Sequence, residues 1–212
     1  SAWNVSLQAN FLGQIADVAV TPELPAGSAA ISASVNFTLP PDHRGAFPIF
    51  ATVTYHDASS RAFFAPVVGI VRTADAEESR LTMQGRLAPD GKKGALRVKV
   101  TSLDAAPQEV TLTCHASPDV GVAPRSQQVR LSSGNAEADF RLVNRTASPG
   151  ATVNLFLTAE YAQQGKRYLA STSLPVAIDL LPSASSWIPR FKVFGGIALV
   201  AAGFIIAFFA QK

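Results

Sequence analysis

The sequence predicts an all-β protein of two antiparallel β-sandwiches followed by one C-terminal transmembrane α-helix. Apolar and polar residues alternate in short runs through most of the chain, a pattern typical of strands that bury one face. Turn-forming clusters such as APDGKKG, SSGN and AQQGK separate these runs at the spacing of an antiparallel sandwich. A long uncharged apolar run then ends the sequence, which is the observation that predicts the helix.

The first half of the chain contains runs that predict a sandwich over residues 1–72. The runs with strand character are Trp3–Phe11, Ile31–Leu39, Phe47–Tyr55 and Phe63–Val71. The stretch that follows, residues 73–80, predicts a linker, because it is dominated by polar and charged residues.

The second half repeats the pattern and predicts a second sandwich over residues 81–180, with a juxtamembrane linker over residues 181–190. Its predicted strands contain Leu81–Leu87, Leu96–Val100, Val110–Cys114, Val129–Leu131, Ala138–Leu142, Val153–Tyr161 and Tyr168–Ile178. Short strands between frequent turns favour antiparallel pairing in two facing sheets.

Residues 95–178 carry a recurring rhythm of paired strands, a proline-containing middle, a glycine-bearing turn and a late Pro-Gly before a long strand. The stretches are LRVKVTSLDAAPQEVTLTCHAS and VAPRSQQVRLSSGNAEADFRLVNRTASPGATVNLFLTAEY. This rhythm resembles bacterial immunoglobulin-like or fibronectin-type modules of the NEW3 and CARDB class. The resemblance implies immunoglobulin-like sandwiches that serve as spacers or binding surfaces, and it implies interaction rather than chemistry.

Composition excludes several classes of protein. The chain is 48% hydrophobic and 16% charged, with a net charge of +3. Its Lys and Arg residues are scattered, so no nucleic-acid partner is expected. A single cysteine, Cys114, permits no intrachain disulfide, which excludes a disulfide-stapled scaffold.

The sequence contains no catalytic, cofactor or metal-binding pattern, so no enzyme activity and no cofactor are expected. The three histidines, His43, His56 and His115, lack the spacing of a metal site. Cys114 shares a predicted strand face with apolar residues and is expected in the core. His115 is then expected on the opposite face, where it cannot activate the thiol.

The apolar run predicts a transmembrane helix over residues 191–210. Its uncharged part from Val193 to Ala210 would span about 27 Å as a helix, close to the thickness of a hydrocarbon core. Trp187, Arg190 and Lys192 precede it and are expected to anchor the chain at the membrane interface.

One side of this predicted helix is lined by small residues and is expected to pack against a partner helix. The residues are Gly196, Leu199, Gly203, Ala207 and Ala210. Lipid tails are as apolar as the helix surface, so helix pairing in a membrane gains no hydrophobic free energy. Close packing at small residues therefore has to stabilise such an interface.

Two orientations are consistent with the sequence. Arg190 and Lys192 before the helix, against Lys212 after it, would place the β domains in the cytoplasm, as in a tail-anchored protein. The first residue is Ser1 rather than methionine, which suggests processing, and long domains translocate largely regardless of charge. We therefore expect a periplasmic or extracellular ectodomain.

These features together predict a non-catalytic, membrane-anchored accessory or structural subunit of a larger membrane protein complex. Its ectodomain would brace or cap the complex on the periplasmic side, with other subunits and the lipid bilayer as partners. The alternatives are a free-standing membrane-anchored adhesion or ligand-binding protein, and a periplasmic protein that handles metal or redox chemistry.

Overall fold

The computed structural model describes residues 1–87, 94–103 and 109–183, and this part of the chain is all β. It contains twelve strands and one short 3-10 helix, Ile178–Leu180. The strands are β1 Ala2–Phe11, β2 Gln14–Leu24, β3 Ala46–His56, β4 Ala62–Arg72, β5 Leu81–Leu87, β6 Ala95–Ser102, β7 Glu109–His115, β8 Val120–Ala123, β9 Ser126–Arg130, β10 Asn135–Asn144, β11 Thr152–Gln163 and β12 Lys166–Ala177.

These strands form three antiparallel sheets of four strands each. The first sheet has the order β2-β1-β3-β4, the second β5-β6-β10-β8, and the third β12-β11-β7-β9. The second and third sheets contain all eight described strands of the second half, seven of which overlap the runs predicted within residues 81–180. The all-β class predicted from the sequence is confirmed.

The core of the protein lies between the second and third sheets. Leu96, Val98 and Phe140 from the second sheet and Leu155 and Leu157 from the third are each 1% exposed or less. They belong to one apolar cluster that draws on both sheets. Strands in which every second residue points inward supply this core, which explains the period-two pattern seen in the sequence.

The first sheet is built from two hairpins that the chain forms in order. Leu12 and Gly13 both have positive φ and make a two-residue turn between β1 and β2, with Phe11 opposite Gln14. β3 pairs with both β1 and β4 and lies inside the sheet. β2 and β4 are therefore its two edge strands.

The structure corrects the prediction for residues 1–72. This segment forms a single four-stranded sheet and not two facing sheets. The predicted strand Ile31–Leu39 is wrong, because residues 25–44 contain no strand. An alternating pattern indicates strand character, but a strand also needs a neighbouring strand to pair with. No described strand forms ladder hydrogen bonds with residues 31–39.

The first sheet packs on the third sheet, on the side opposite the core. Phe50 of β3 stacks on His115 of β7 with ring centroids 3.6 Å apart. Thr158 of β11 faces away from the core between Leu157 and Ala159, yet it is 0% exposed, since the first sheet covers it. The layers therefore run second sheet, third sheet, first sheet, and the first sheet covers the middle of the third sheet's second face, while most β12 residues on that face stay exposed.

A close backbone contact fixes the junction between these layers. Gly45 makes a parallel bridge with Arg167, and the Arg167 amide donates to the Arg44 carbonyl oxygen at 2.9 Å. Gly45 has φ +110°, and a Cβ there would lie 1.9 Å from the Arg167 carbonyl oxygen. Only glycine fits here, both for its φ and for the approach of the second backbone.

Side chains from the linker reinforce this junction. Lys166 donates to one carboxylate oxygen of Glu77 at 2.5 Å, and the Tyr168 hydroxyl donates to the other at 3.1 Å. Thr73 donates from its amide to the Gly45 carbonyl at 3.0 Å. Residues 73–80, predicted as a linker, contain no strand and hold the first sheet against β12.

No helix within the described residues combines the length and the apolar character needed to cross a bilayer. The predicted transmembrane helix, residues 191–210, lies outside the described residues, as does most of the predicted juxtamembrane linker.

Replacing Gly45 by alanine should destabilise the protein more than the same change at Gly165. Both glycines have positive φ, so both variants incur the strain of a left-handed alanine, about 1–2 kcal/mol. A Cβ at Gly165 meets no atom within 4 Å, whereas at Gly45 it collides with backbone. Urea unfolding of the full chain in mild detergent measures the difference. Equal losses for the two variants would show that the junction is not closely packed.

Candidate interaction surface

The first sheet has a second apolar face that points away from the third sheet, called the outer face here. The strand register places these side chains on it: Leu7, Ala9, Phe11, Val18, Ile49, Ala51, Val53 and Val67. Ala9 and Phe11 are buried, five others are half-buried, and Val67 is 52% exposed. A face of this composition normally packs against another layer.

The chain between β2 and β3 lies partly over this outer face. Its residues Ser28–Leu39 are called the unpaired segment. Phe37 packs on Phe11, with ring centroids 5.6 Å apart. The Gln14 amide donates to the Thr38 carbonyl oxygen at 2.7 Å and accepts from the Thr38 amide at 3.1 Å. The segment is thus fastened over the outer face at its C-terminal end.

The rest of the unpaired segment has the alternating sequence of a β-strand but lacks the hydrogen bonds of one. Ile31, Ala33 and Val35 alternate with polar or small residues, and Ile31 is 49% exposed. Among the described residues, the backbone of residues 29–37 makes no backbone–backbone hydrogen bond. The segment therefore presents a free backbone and apolar side chains together.

The free edges of the first sheet differ from this segment in composition. β2 carries Asp17, Pro22 and Glu23, and β4 carries Pro66. Charged residues and proline are the usual protection of a sheet edge against pairing with another chain. Residues 28–39 contain neither a charged residue nor a proline. They are the unprotected strand-like stretch in this half of the protein.

The cysteine and histidine predicted to lie on opposite faces of one strand do so. Cys114 is 2% exposed in the core, and burial raises the pKa of its thiol to about 12. His115 stacks on Phe50 at the layer junction, and its Nε2 is buried without a partner among the described residues. Burial, with a smaller contribution from the Arg125 charge, lowers the pKa of His115 to about 4.

Within the described residues, no three His, Cys, Asp or Glu side chains lie close enough together to hold a metal ion. His43 contacts Phe47 at 5.5 Å between ring centroids, and His56 lies at the end of β3. The structure does not bring the histidines together with Cys114 in one site.

The residues predicted at the membrane lie outside the described part of the chain. They are the interface anchors Trp187, Arg190 and Lys192, and the helix-packing residues Gly196, Leu199, Gly203, Ala207 and Ala210. Their roles stay predictions. The sequence does not distinguish the unpaired segment as a site, since its alternation predicts only a strand.

A cleft separates the β4 edge from one end of the third sheet. Its volume is about 780 Å³, and its walls include Phe63, Ser117 and Asn154. At its rim the Arg61 guanidinium donates to the Ser148 hydroxyl and lies 5.5 Å from the Phe63 ring. The size is within the range of small-molecule pockets, and the lining combines apolar and polar groups.

No protein-family model matches the chain, and neither does any curated protein. The resemblance to NEW3 and CARDB modules therefore stays a prediction.

The stability of the protein should fall as the pH decreases from 6.5 towards 4, in part because of His115. The unfolded chain protonates this imidazole near pH 6.5, whereas the folded protein does so near pH 4. Between these values the unfolded state binds more protons, so acid favours unfolding, by about 1–3 kcal/mol from this group. Urea midpoints at pH 7 and pH 4.5 measure the effect.

The variant His115→Phe keeps an aromatic ring against Phe50 and removes the titration. It should reduce the loss of stability between the two pH values. His43→Phe is the matched control, because it makes the same substitution and leaves His115 in place. An unchanged loss in His115→Phe would show that other groups cause the acid sensitivity.

Proposed function

We propose that this protein is a non-catalytic accessory subunit of a larger membrane protein complex, anchored by a C-terminal transmembrane helix over residues 191–210. Its immunoglobulin-like β layers form an ectodomain that braces or caps the complex on the periplasmic side. The observation that carries the proposal is the unpaired segment on the half-exposed outer face, because it is a surface suited to another polypeptide.

The stacking of the layers supports a bracing role. The third sheet packs against both other sheets, and the first sheet is fixed to it by Phe50 and by the Gly45 junction. These two contacts hold the first and third sheets in a fixed relative orientation, which suits a domain that braces a complex. The two facing sheets formed by β5–β12 support the immunoglobulin-like assignment.

The positions of the reactive side chains support a non-catalytic role. A nucleophilic cysteine needs thiolate character and a neighbouring base. Burial holds the Cys114 thiol protonated, and His115 points away from it across the strand. The most reactive side chain of the chain is therefore used for packing.

The predicted helix supplies the second contact of the proposed subunit. Gly203→Leu would place a large side chain on the small-residue side and should release the protein from its complex during extraction in mild detergent. The matched control is Ile205→Leu, on a bulky side, where lipid accommodates either residue. The measurement is the fraction of each variant that co-purifies with other membrane subunits.

Equal retention of Gly203→Leu and Ile205→Leu would mean that the glycine side faces lipid. A wild-type protein that elutes alone after mild extraction would contradict the accessory-subunit proposal itself.

The proposed location of the ectodomain gives a separate prediction. Protease added outside intact spheroplasts should digest residues 1 to about 185, because an exported domain has no membrane between it and the protease. Lysed spheroplasts are the control for intrinsic susceptibility. Protection in intact cells together with digestion after lysis would instead support the cytoplasmic, tail-anchored orientation.

A free-standing membrane-anchored ligand-binding protein is the second candidate, and the cleft beside β4 favours it. The Arg61 guanidinium supplies a cation at the rim, where it donates to the Ser148 hydroxyl, and Asp119 supplies a carboxylate on the wall. Ser117 and Asn154 supply polar groups on the cleft walls. This combination suits a small polar ligand with several hydrogen-bonding groups.

A further inference from the structure

We infer that the cleft beside β4 binds a neutral saccharide. The apolar face of one sugar ring lies on Phe64 and Pro66, and hydroxyl groups of the sugar bond to Asn154 and Ser117. This inference rests on the second candidate function, ligand binding in the cleft, and it names the class of ligand. It does not depend on the accessory-subunit proposal.

The cleft forms where the first sheet separates from the third sheet. On the face of β11 that meets the first sheet, Thr158 is buried, Phe156 is half-buried and Asn154 is exposed. Cover by the first sheet therefore decreases along β11 towards its start at Thr152. The cleft occupies this opening, and its volume of about 780 Å³ is within the range of small-molecule pockets.

The β4 strand supplies an apolar wall of the cleft. Phe64 and Pro66 pair with Thr54 and Thr52 of β3, so they lie on the side of the first sheet from which Phe50 meets the third sheet. Both residues are half-buried, and both line the cleft. An aromatic ring beside a proline ring presents flat apolar surface, which suits the face of a sugar ring that carries C–H groups.

The third sheet and its loops supply hydrogen-bonding groups that have no partner. The Asn154 side chain makes no hydrogen bond with another described residue, and its amide offers donors and an acceptor to the cleft. Ser117 is 3% exposed, and its Oγ has no hydrogen-bond partner in the described part of the chain. Buried hydroxyl groups normally have a partner. A ligand hydroxyl can both donate to and accept from such groups.

The charged groups of the cleft favour a neutral ligand. Arg61 at the rim and Asp119 on the wall carry opposite charges, so neither sign dominates. Each already bonds a neutral side chain, because the Arg61 guanidinium donates to the Ser148 hydroxyl and the Asp119 carboxylate accepts from the Thr146 hydroxyl. An apolar wall opposite neutral polar groups suits a ligand with one apolar face and several hydroxyl groups, which is the chemistry of a sugar ring.

Sugar binding to the full chain, in a mild detergent without a sugar headgroup, tests the inference. The probes are D-glucose, D-galactose, N-acetyl-D-glucosamine and maltose, each titrated by calorimetry. L-phenylalanine is the comparison probe, because it offers an apolar ring with charged groups of both signs. At least one sugar should bind saturably and raise the thermal midpoint of the protein, since a ligand that binds only the folded state stabilises it.

Two cleft variants locate the sugar. Asn154→Ala removes the free amide and Phe64→Leu removes the flat ring, and each should weaken the binding of that sugar about tenfold. Asn36→Ala and Phe37→Leu are the matched controls, because they make the same substitutions outside the cleft and should bind as the wild type does. Without sugar, Asn154→Ala should keep the thermal midpoint of the wild type, since this side chain is exposed.

The outcomes are distinguishable. A sugar that binds both cleft variants as tightly as the wild type would place the sugar site elsewhere and overturn the inference. Binding of L-phenylalanine but of none of the sugars would also overturn it, and would leave ligand binding as a candidate function. Binding of no probe at all would overturn both the inference and the second candidate function. The accessory-subunit proposal is decided separately, by co-purification.

Discussion

The architecture depends on the third sheet packing on two sides, against the core along its whole first face and against the first sheet over the middle of its second face. One face of β11 carries Leu155 and Leu157 into the core, and the other carries Thr158 beneath the first sheet. The first sheet covers this second face around Phe156, Thr158 and Glu160, of which Thr158 is buried and the other two are half-buried. This explains why β11 is buried at Leu157, Thr158 and Ala159 in succession. Phe50 stacks on His115 and so joins the first sheet to this second face of the third sheet.

Much of the fold was predictable from the sequence because the strands obey a period of two. β1, β3 and β4, and most of the second half, lie where alternating residues placed them. β2 was missed because Asp17 and Pro22 interrupt a weaker alternation, although Leu12 and Gly13 before it form a hairpin turn. β8, only four residues long, gave too short a pattern.

The unpaired segment shows the limit of reasoning from periodicity. Ile31, Ala33, Val35 and Phe37 alternate as regularly as β1 does, and their sequence contains nothing to distinguish a strand with a neighbour from one without. Pairing is a property of the surroundings and not of the segment. The same limit applies to the packing of the first sheet on the third, since the contact of Phe50 with His115 joins residues far apart in the chain and has no local signature.

The layered packing also determines the order in which the sheets can form during synthesis. β1 to β4 pair through neighbouring hairpins, so the first sheet can form while the rest of the chain is still being made. Its face around Phe50 has no cover until β7, β11 and β12, ending at Ala177, have been added. Through that interval the nascent chain exposes apolar surface on both sides of one sheet. Because the two halves of this contact lie far apart in the sequence, the first sheet completes its packing only after the third sheet has been synthesised.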